Sequence, residues 1–258
     1  MTTLFWNCNS LNARLQQLQL LTQQPSSPDI IALAETRLSP YDVSTQLNRY
    51  HRFSLPYTDR SGGLAFFVRA NIKAHERRDL SARIENSGIL WIEVALPFDR
   101  TPILFAVVYR APGSLVTHWS CIQSSLVRAH ETGQPTVIVG DFNARHSSWD
   151  TTTDSSGNSL HHTANNLNLS ILNCAYASGQ PTFPRTPSVL DLALCNCPHL
   201  IEDMRVAHDI KLVSDHYPLL LTLRKALPDF LNVPPPQRLG SSESQLESIL
   251  VNAGALCG

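Results

Sequence analysis

Charge is scarce in this sequence: 16% of its 258 residues are charged, and they nearly cancel to a net charge of −1. A chain of this kind does not coat DNA through a broad cationic surface. Any contact with nucleic acid must run through local basic groups or a metal ion. No apolar run reaches membrane-spanning length, so no membrane partner is expected. The start, MTTLFWNCNS, lacks the basic segment and long apolar stretch of a secretory leader. The six cysteines (Cys8, Cys121, Cys174, Cys195, Cys197, Cys257) are scattered, mostly inside apolar runs. Reduced thiols in an intracellular compartment are the expectation. Cys195-Asn196-Cys197-Pro198-His199 has no second ligand pair at zinc-finger spacing, which argues against a zinc site.

What is abundant is apolar: 43% of the residues are hydrophobic, enough to fill one large core. Short apolar runs bounded by turn residues recur as LFWNC, DIIALAE, GGLAFFVRA, GILWIEVAL, PILFAVVYR, PTVIVG, LSILNCA, VLDLALC and YPLLLTL. They read as strands, several buried on both faces. Leu11, Leu15, Leu18 and Leu21 share a stripe opposite glutamines, the pattern of an amphipathic helix. Further helices are expected at 114–130 and 157–167. Many strands with few helices imply an α/β chain of two packed sheets flanked by helices. The folded domain is expected over 1–225. Beyond it, 226–258 carries three consecutive prolines and a Ser/Glu/Gln stretch, and reads as a linker or tail.

Polar groups recur where these strands end. Asn7 lies in the first strand, Glu35 closes IIALAE, and Tyr109 and Arg110 close AVVYR before a Pro-Gly turn. In VIVGDFNARH, Asp141 and Asn143 follow a β-branched run. Asp191 sits inside VLDLAL, where an isolated carboxylate is costly unless paired. Strand alternation puts Val189, Asp191 and Ala193 on one face. Asp215 and His216 stand just before LLLTL, and His216 is the natural partner for Asp191. Tyr109 and Arg110 suit a phosphate, through one hydrogen bond and one forked cationic contact. Taken singly, each has a plainer reading as a solvated strand end or packing residue. Taken together, carboxylates without thiolate ligands favour a hard cation, Mg²⁺ or Mn²⁺, and phosphoester chemistry. Arg60, Arg69 and Lys73 offer positive charge to backbone phosphates, although a charged sheet edge facing water explains them as well.

The pieces WNCNSL, AETRL, SGGLAFFVR, VVYRAPGS, GDFNARHSSW, SVLDLAL and SDHYPLLL stand in the order found in the endonuclease/exonuclease/phosphatase superfamily. From about Thr3 to Leu223 the chain resembles that family, which includes DNase I, exonuclease III and the apurinic-site endonucleases. The wording GDFNARHSSWD with PTFPRTPSVLDLALC is most similar to the endonuclease domain of non-LTR (LINE-type) retrotransposons. The resemblance implies a four-layer α/β sandwich and a Mg²⁺-dependent nuclease acting on double-stranded DNA. It assigns Glu35 as main metal ligand with Asn7 and Asp215 beside it. It assigns Tyr109 and Asn143 to the scissile phosphate, Asp141 to the water or leaving-group proton, Asp191 to orienting the histidine, and His216 to catalysis. In-line attack would leave a 3′-hydroxyl and a 5′-phosphate, and the former would prime reverse transcription at the nick.

In that setting the reverse transcriptase belongs to a longer parent polypeptide, and access to the nucleus is expected. Arg110 differs from the polar residues common at its position in repair enzymes, which weighs against apurinic-site preference. An apurinic-site endonuclease and a small-molecule phosphoesterase share the same chemistry and stay as alternatives.

Overall fold

The computed structural model describes residues 1–57, 62–95 and 101–224, which fall within one unit, Met1–Ala226. Residues 226–258, Cys257 and Arg60 therefore lie outside the described residues. The elements in chain order are β1 (Thr2–Asn7), α1 (Leu11–Thr22), β2 (Ile30–Ala34), β3 (Tyr50–Leu55), β4 (Leu64–Arg69), β5 (Ala74–Glu76), β6 (Ala82–Ile84), β7 (Ser87–Val94) and β8 (Ile103–Tyr109). Then come α2 (Val116–Glu131), β9 (Thr136–Asp141), α3 (Ser155–Asn166), β10 (Ser170–Ile171), α4 (Leu172–Tyr176), β11 (Asp191–Cys195), β12 (Ile201–Val206) and β13 (Leu219–Leu223).

These strands form two mixed sheets. One has the order β12-β13-β1-β2-β4-β3, the other β10-β11-β9-β8-β7-β5 with β6 also on β7. Each sheet holds one central parallel pair, β1 with β2 and β8 with β9. A parallel pair cannot be closed by a hairpin and needs a crossover, supplied here by α1 and α2 respectively. Every residue of β2, β8 and β9 is buried, as expected of strands covered on both faces.

Alternation along the strands divides the core in three. Phe5, Ile30, Phe66, Ile92, Phe105 and Val139 fill the space between the sheets. Leu11, Leu18 and Leu21 of α1 cover the outer face of the first sheet against Trp6, Leu33 and Phe67. Trp119, Ile122 and Leu126 of α2 and Leu160 and Ala164 of α3 cover the second sheet at Trp91, Val108 and Leu192. The result is a four-layer α/β/β/α sandwich. Each fully buried Leu, Ile or Phe contributes roughly 1.5–3 kcal/mol of transfer free energy, so the three clusters dominate stability.

Several sequence expectations shift. LSILNCA is strand only at Ser170–Ile171 and then turns into the short helix α4. The reason is Asn173, whose buried side chain donates to the Asp191 carbonyl (3.1 Å) and accepts from the Ala193 amide (2.9 Å), replacing strand partners. Val189 does not share a face with Asp191: it precedes β11 and packs with Leu192 and Leu194 on the outer side. The strands β3, β5, β6 and β12 carry too many polar residues to announce themselves as apolar runs. Arg69 is not held for phosphate. It pairs with Asp29 at 3.3 Å and donates to the Ser27 carbonyl. Cys195 and Cys197 are buried in the inter-sheet core.

Gly157 in the first turn of α3 allows a close approach that no other residue permits. A Cβ there would stand 1.7 Å from the Arg145 carbonyl oxygen. Helix propensity alone makes Gly→Ala favourable by about 1 kcal/mol. Overpacking of this kind costs about 1–3 kcal/mol or more and reverses the sign. Gly157→Ala is therefore expected to lower stability in a urea melt. A stabilised variant would show that α3 does not pack on the Arg145–His146 backbone.

Candidate active site

The topology brings the carboxyl ends of both parallel pairs to one rim. Asn7 ends β1 and Glu35 follows β2, where Asn7 pairs with Ala34. Tyr109 ends β8 opposite Asp141, the last residue of β9. Asp191, the first residue of antiparallel β11, also faces Asp141. Asp215 and His216 precede β13, whose first residue Leu219 pairs with Phe5. Ligands of α/β sheets gather outside such strand ends, and here two sheets contribute to one site.

Local backbone geometry aims the side chains. Glu35, Arg37 and Asn143 all adopt positive φ (51°, 51° and 44°), which non-glycine residues seldom take and which costs roughly 1–3 kcal/mol each. Surrounding hydrogen bonds enforce it. The Glu35 and Thr36 carbonyls accept from the amides of Ser10 (2.8 Å) and Leu11 (3.0 Å), capping the start of α1. The Thr36 amide donates to Gly63 at 3.1 Å, and that of Arg37 to Gly62 at 2.9 Å. Gly63 has φ +90°, and a Cβ on it would be 2.5 Å from Thr36 Oγ1. The paired glycines thus hold the loop that presents Glu35. Asn143 is fixed by its amide to Asp141 Oδ1 (3.1 Å) and by its own Nδ2 to the Arg110 carbonyl (2.8 Å).

Asn7 ties the two sheets together. Its Nδ2 donates to Glu35 Oε1 at 3.0 Å and to Asp141 Oδ2 at 2.9 Å. Glu35 Oε2 also pairs with Arg37 at 2.9 Å. Asp141 is buried, and burial together with the Asp191 charge raises its carboxyl above the ordinary range. Burial and the nearby Glu35 and Asp141 charges likewise push the Tyr109 phenol up, so it stays a hydrogen-bond donor.

Asp191 Oδ2 lies 2.8 Å from His216 Nδ1, as the strand carboxylate and the histidine of the sequence predict. Burial alone would lower the proton affinity of this imidazole. The adjacent Asp191, with Asp141 and Asp215 beyond it, outweighs burial and raises the pKa to about 10. His216 Nε2 is left 3.8 Å from Asp141 Oδ2, outside hydrogen-bond reach. Burial would raise the Asp215 carboxyl, but its own backbone amide, the His216 charge, and hydrogen bonds from Asn9 Nδ2 (3.3 Å) and Ser214 Oγ (3.1 Å) hold it below the ordinary range.

Glu35, Asp141, Asp215, His216, Asn143 and Arg110 line one open cavity of about 610 Å³. Asp141, Asp191 and His216 offer ligand atoms within 4.8 Å of one another. The Asp191–His216 hydrogen bond already occupies that pair, which makes it an orienting dyad rather than a cation cage. Glu35 and Asp215 are the better candidate oxygen donors, whereas Asn7, expected beside them, turns its Nδ2 to Glu35 and Asp141 and its Oδ1 accepts from the Asn9 amide at 3.2 Å. Burial and the Glu35 charge push the nearby Cys8 thiol up, so no thiolate competes, and the all-oxygen chemistry fits a hard divalent cation.

Arg110 is placed differently from the sequence expectation. It is 7% exposed, and its guanidinium donates to the carbonyls of Asn143 (3.1 Å) and Ser114 (3.4 Å) rather than reaching freely into solvent. Other supporting residues escaped sequence reasoning. Thr182 Oγ1 accepts from the Leu190 (3.1 Å) and Asp191 (3.0 Å) amides, and its carbonyl accepts from Tyr217 (2.8 Å). Trp6 Nε1 donates to the His216 carbonyl at 3.2 Å, Ser214 Oγ to the Asn7 carbonyl at 2.8 Å, and Phe183 packs on the His216 ring at 4.9 Å. Only Ser214, beside Asp215 and His216 in SDH, had a sequence signal.

Residues 4–216 match the model of the endonuclease/exonuclease/phosphatase family. A probable RNA-directed DNA polymerase from transposon BS of Drosophila melanogaster is 27% identical over 256 residues, 94% of this chain. The chain spans only 26% of that relative's length. Among solved structures, the endonuclease domain of TRAS1, a telomere-specific non-LTR retrotransposon, superposes with a TM-score of 0.70 at 19% identity, covering 86% of this chain and 97% of that domain. The apurinic-site endonuclease LMAP of Leishmania major gives 0.70 at 15% identity, covering 86% and 87%. With the family matched over most of its length and its acid–histidine rim assembled, the chain belongs to the endonuclease/exonuclease/phosphatase family, metal-dependent hydrolases of phosphoester bonds.

Proposed function

We propose that this domain is a DNA endonuclease that uses Mg²⁺ or Mn²⁺ to hydrolyse one phosphodiester of duplex DNA, leaving a 3′-hydroxyl and a 5′-phosphate. The single observation that carries the chemistry is the convergence of Asp141 and the Asp191–His216 dyad on one open cleft, with His216 Nε2 3.8 Å from Asp141 Oδ2. The Drosophila transposon polymerase favours the retrotransposon role over repair, because its similarity runs through nearly all of this chain. In that role the 3′-hydroxyl primes reverse transcription by a domain of a longer parent polypeptide, in a compartment with access to chromosomal DNA.

Glu35 and Asp215 would hold the cation, which when bound would supply charge neutralisation at the phosphate and the leaving oxygen. The chain's own groups do the rest. Asp141, with its raised proton affinity, takes a proton from the attacking water. His216, kept protonated by Asp191, stabilises charge on the phosphoryl oxygens. The Tyr109 phenol and the Asn143 carboxamide donate to the same phosphate. Asn7 holds Asp141 and Glu35 in register.

Supercoiled plasmid is expected to be nicked in the presence of Mg²⁺ and left intact with a chelator. Asp141→Ala and His216→Ala should each lose on the order of 10²–10⁴-fold in rate while keeping the parental circular dichroism. Parental rates in either variant would remove that residue from the mechanism. A plain duplex should be cut in preference to an abasic duplex or a soluble inositol phosphate. Preference for either of the latter would reassign the substrate.

The ionisation states carry their own test. Activity requires Asp141 deprotonated and His216 protonated, so the rate should fall on the alkaline side as pH rises through about 10. Asp191→Asn removes the charge that raises His216, and the alkaline limb should move to lower pH. An unmoved limb would assign it to another group.

A further inference from the structure

Both oxygens of Glu35 are engaged, and by partners of different kinds. Oε1 accepts from Asn7 Nδ2 at 3.0 Å, a bond tied into the contact between the sheets, since the same nitrogen reaches Asp141. Oε2 accepts from Arg37 Nη2 at 2.9 Å. Asn7 is 1% exposed, whereas the Arg37 side chain is 42% exposed and that of Glu35 17%. The inner bond is held by packing. The outer one is open to water.

The backbone is bent to make that outer contact. Glu35 and Arg37 share a φ of 51°, while Thr36 and Leu38, both buried, anchor the alternate positions. The Arg37 amide donates to the Gly62 carbonyl at 2.9 Å, which fixes the root of the guanidinium two residues from the carboxylate. Asp215, the other candidate oxygen donor, is served differently: its Oδ1 accepts from Asn9 Nδ2 (3.3 Å) and Ser214 Oγ (3.1 Å), both neutral. An ion pair as exposed as Glu35–Arg37 holds weakly, because both charges keep much of their hydration. A divalent ion brings twice the charge to the same oxygen and repels the guanidinium already there.

Resting on the reading above that Glu35 holds the cation, we propose that Arg37 is a built-in counterion, which the divalent ion displaces from Glu35 Oε2 and which thereby sets the metal affinity of the site. Without metal, Arg37 neutralises Glu35 and holds the loop after β2 in its strained form. With metal, the carboxylate exchanges one cation for another and the guanidinium is released to solvent. Asn7 stays on Oε1 throughout, so the link between the sheets survives the exchange. Arg37 therefore tunes the site without being a ligand in it.

Titration of the metal-free chain with Mn²⁺, followed by loss of the free-ion electron paramagnetic resonance signal, tests this without DNA. Arg37→Gln should bind the ion on the order of fivefold more tightly than the parent. Arg145→Gln removes a charge from the same cleft, at a side chain held by Ser188, and should keep a nearly parental constant. In a ¹H–¹⁵N spectrum of the parent, the Arg37 Nε–H resonance should shift as Mg²⁺ is added and then saturate. Equal tightening in the two arginine variants, an unchanged constant in Arg37→Gln, or an unmoved Nε resonance would overturn the counterion. Glu35→Gln separates this inference from the reading beneath it. That variant should bind Mn²⁺ more weakly and move the Arg37 resonance before any metal is added. Unweakened binding in Glu35→Gln would overturn Glu35 as the cation's holder. Weakened binding there, with Arg37→Gln at the parental constant, overturns the counterion alone.

Discussion

Everything at the rim depends on one carboxamide. Asn7 Nδ2 reaches Glu35 in its own sheet and Asp141 in the other, at 3.0 and 2.9 Å. For those two bonds to form together, the parallel pairs β1–β2 and β8–β9 must end at the same height across the inter-sheet core. The packing of Phe5, Ala34 and Ala32 against Val107, Tyr109 and Val139 fixes that height. One sheet slid along the other would still bury its apolar faces, but it would part Glu35 from Asp141.

The site is also an electrostatic compromise. Asp141 and Asp191 are 1% and 0% exposed, and Asp191 Oδ1 has no hydrogen-bond partner. Buried like charges so close are costly without a cation. The chain supplies His216, raised by Asp191 and hydrogen-bonded to it, as the positive group at this pair. Glu35 is offset by Arg37 at the mouth. In the proposed mechanism a divalent cation would complete the balance at the Glu35 end, separate from the Asp191–His216 pair, with Asp141 between them.

Much of this was legible in the sequence because it lies where apolar strands stop. Asn7, Glu35, Tyr109, Asp141 and Asp191 each interrupt or end an apolar run and His216 stands just before one, and a strand places a terminal side chain at a sheet rim whatever its register. The two-sheet architecture follows from the same runs. What stayed hidden depends on contacts between distant segments. Thr182 looks like any turn residue until its hydroxyl is seen taking the Leu190 and Asp191 amides. Asn173 converts a strand-like run into α4 through bonds to β11, which local patterning does not encode. The burial of Arg110 goes with its bonds to the Asn143 and Ser114 carbonyls, which local patterning does not show, and the half-polar strands β3 and β12 lack the apolar signal that marks the others.

The separation of cation site from dyad can be seen directly by anomalous diffraction from crystals of the chain soaked in Mn²⁺. The peak should lie at the Glu35 carboxylate, with the Asp191–His216 hydrogen bond intact. A peak ligated by His216 and Asp191, with that bond broken and Glu35 uncoordinated, would contradict the arrangement of the whole site.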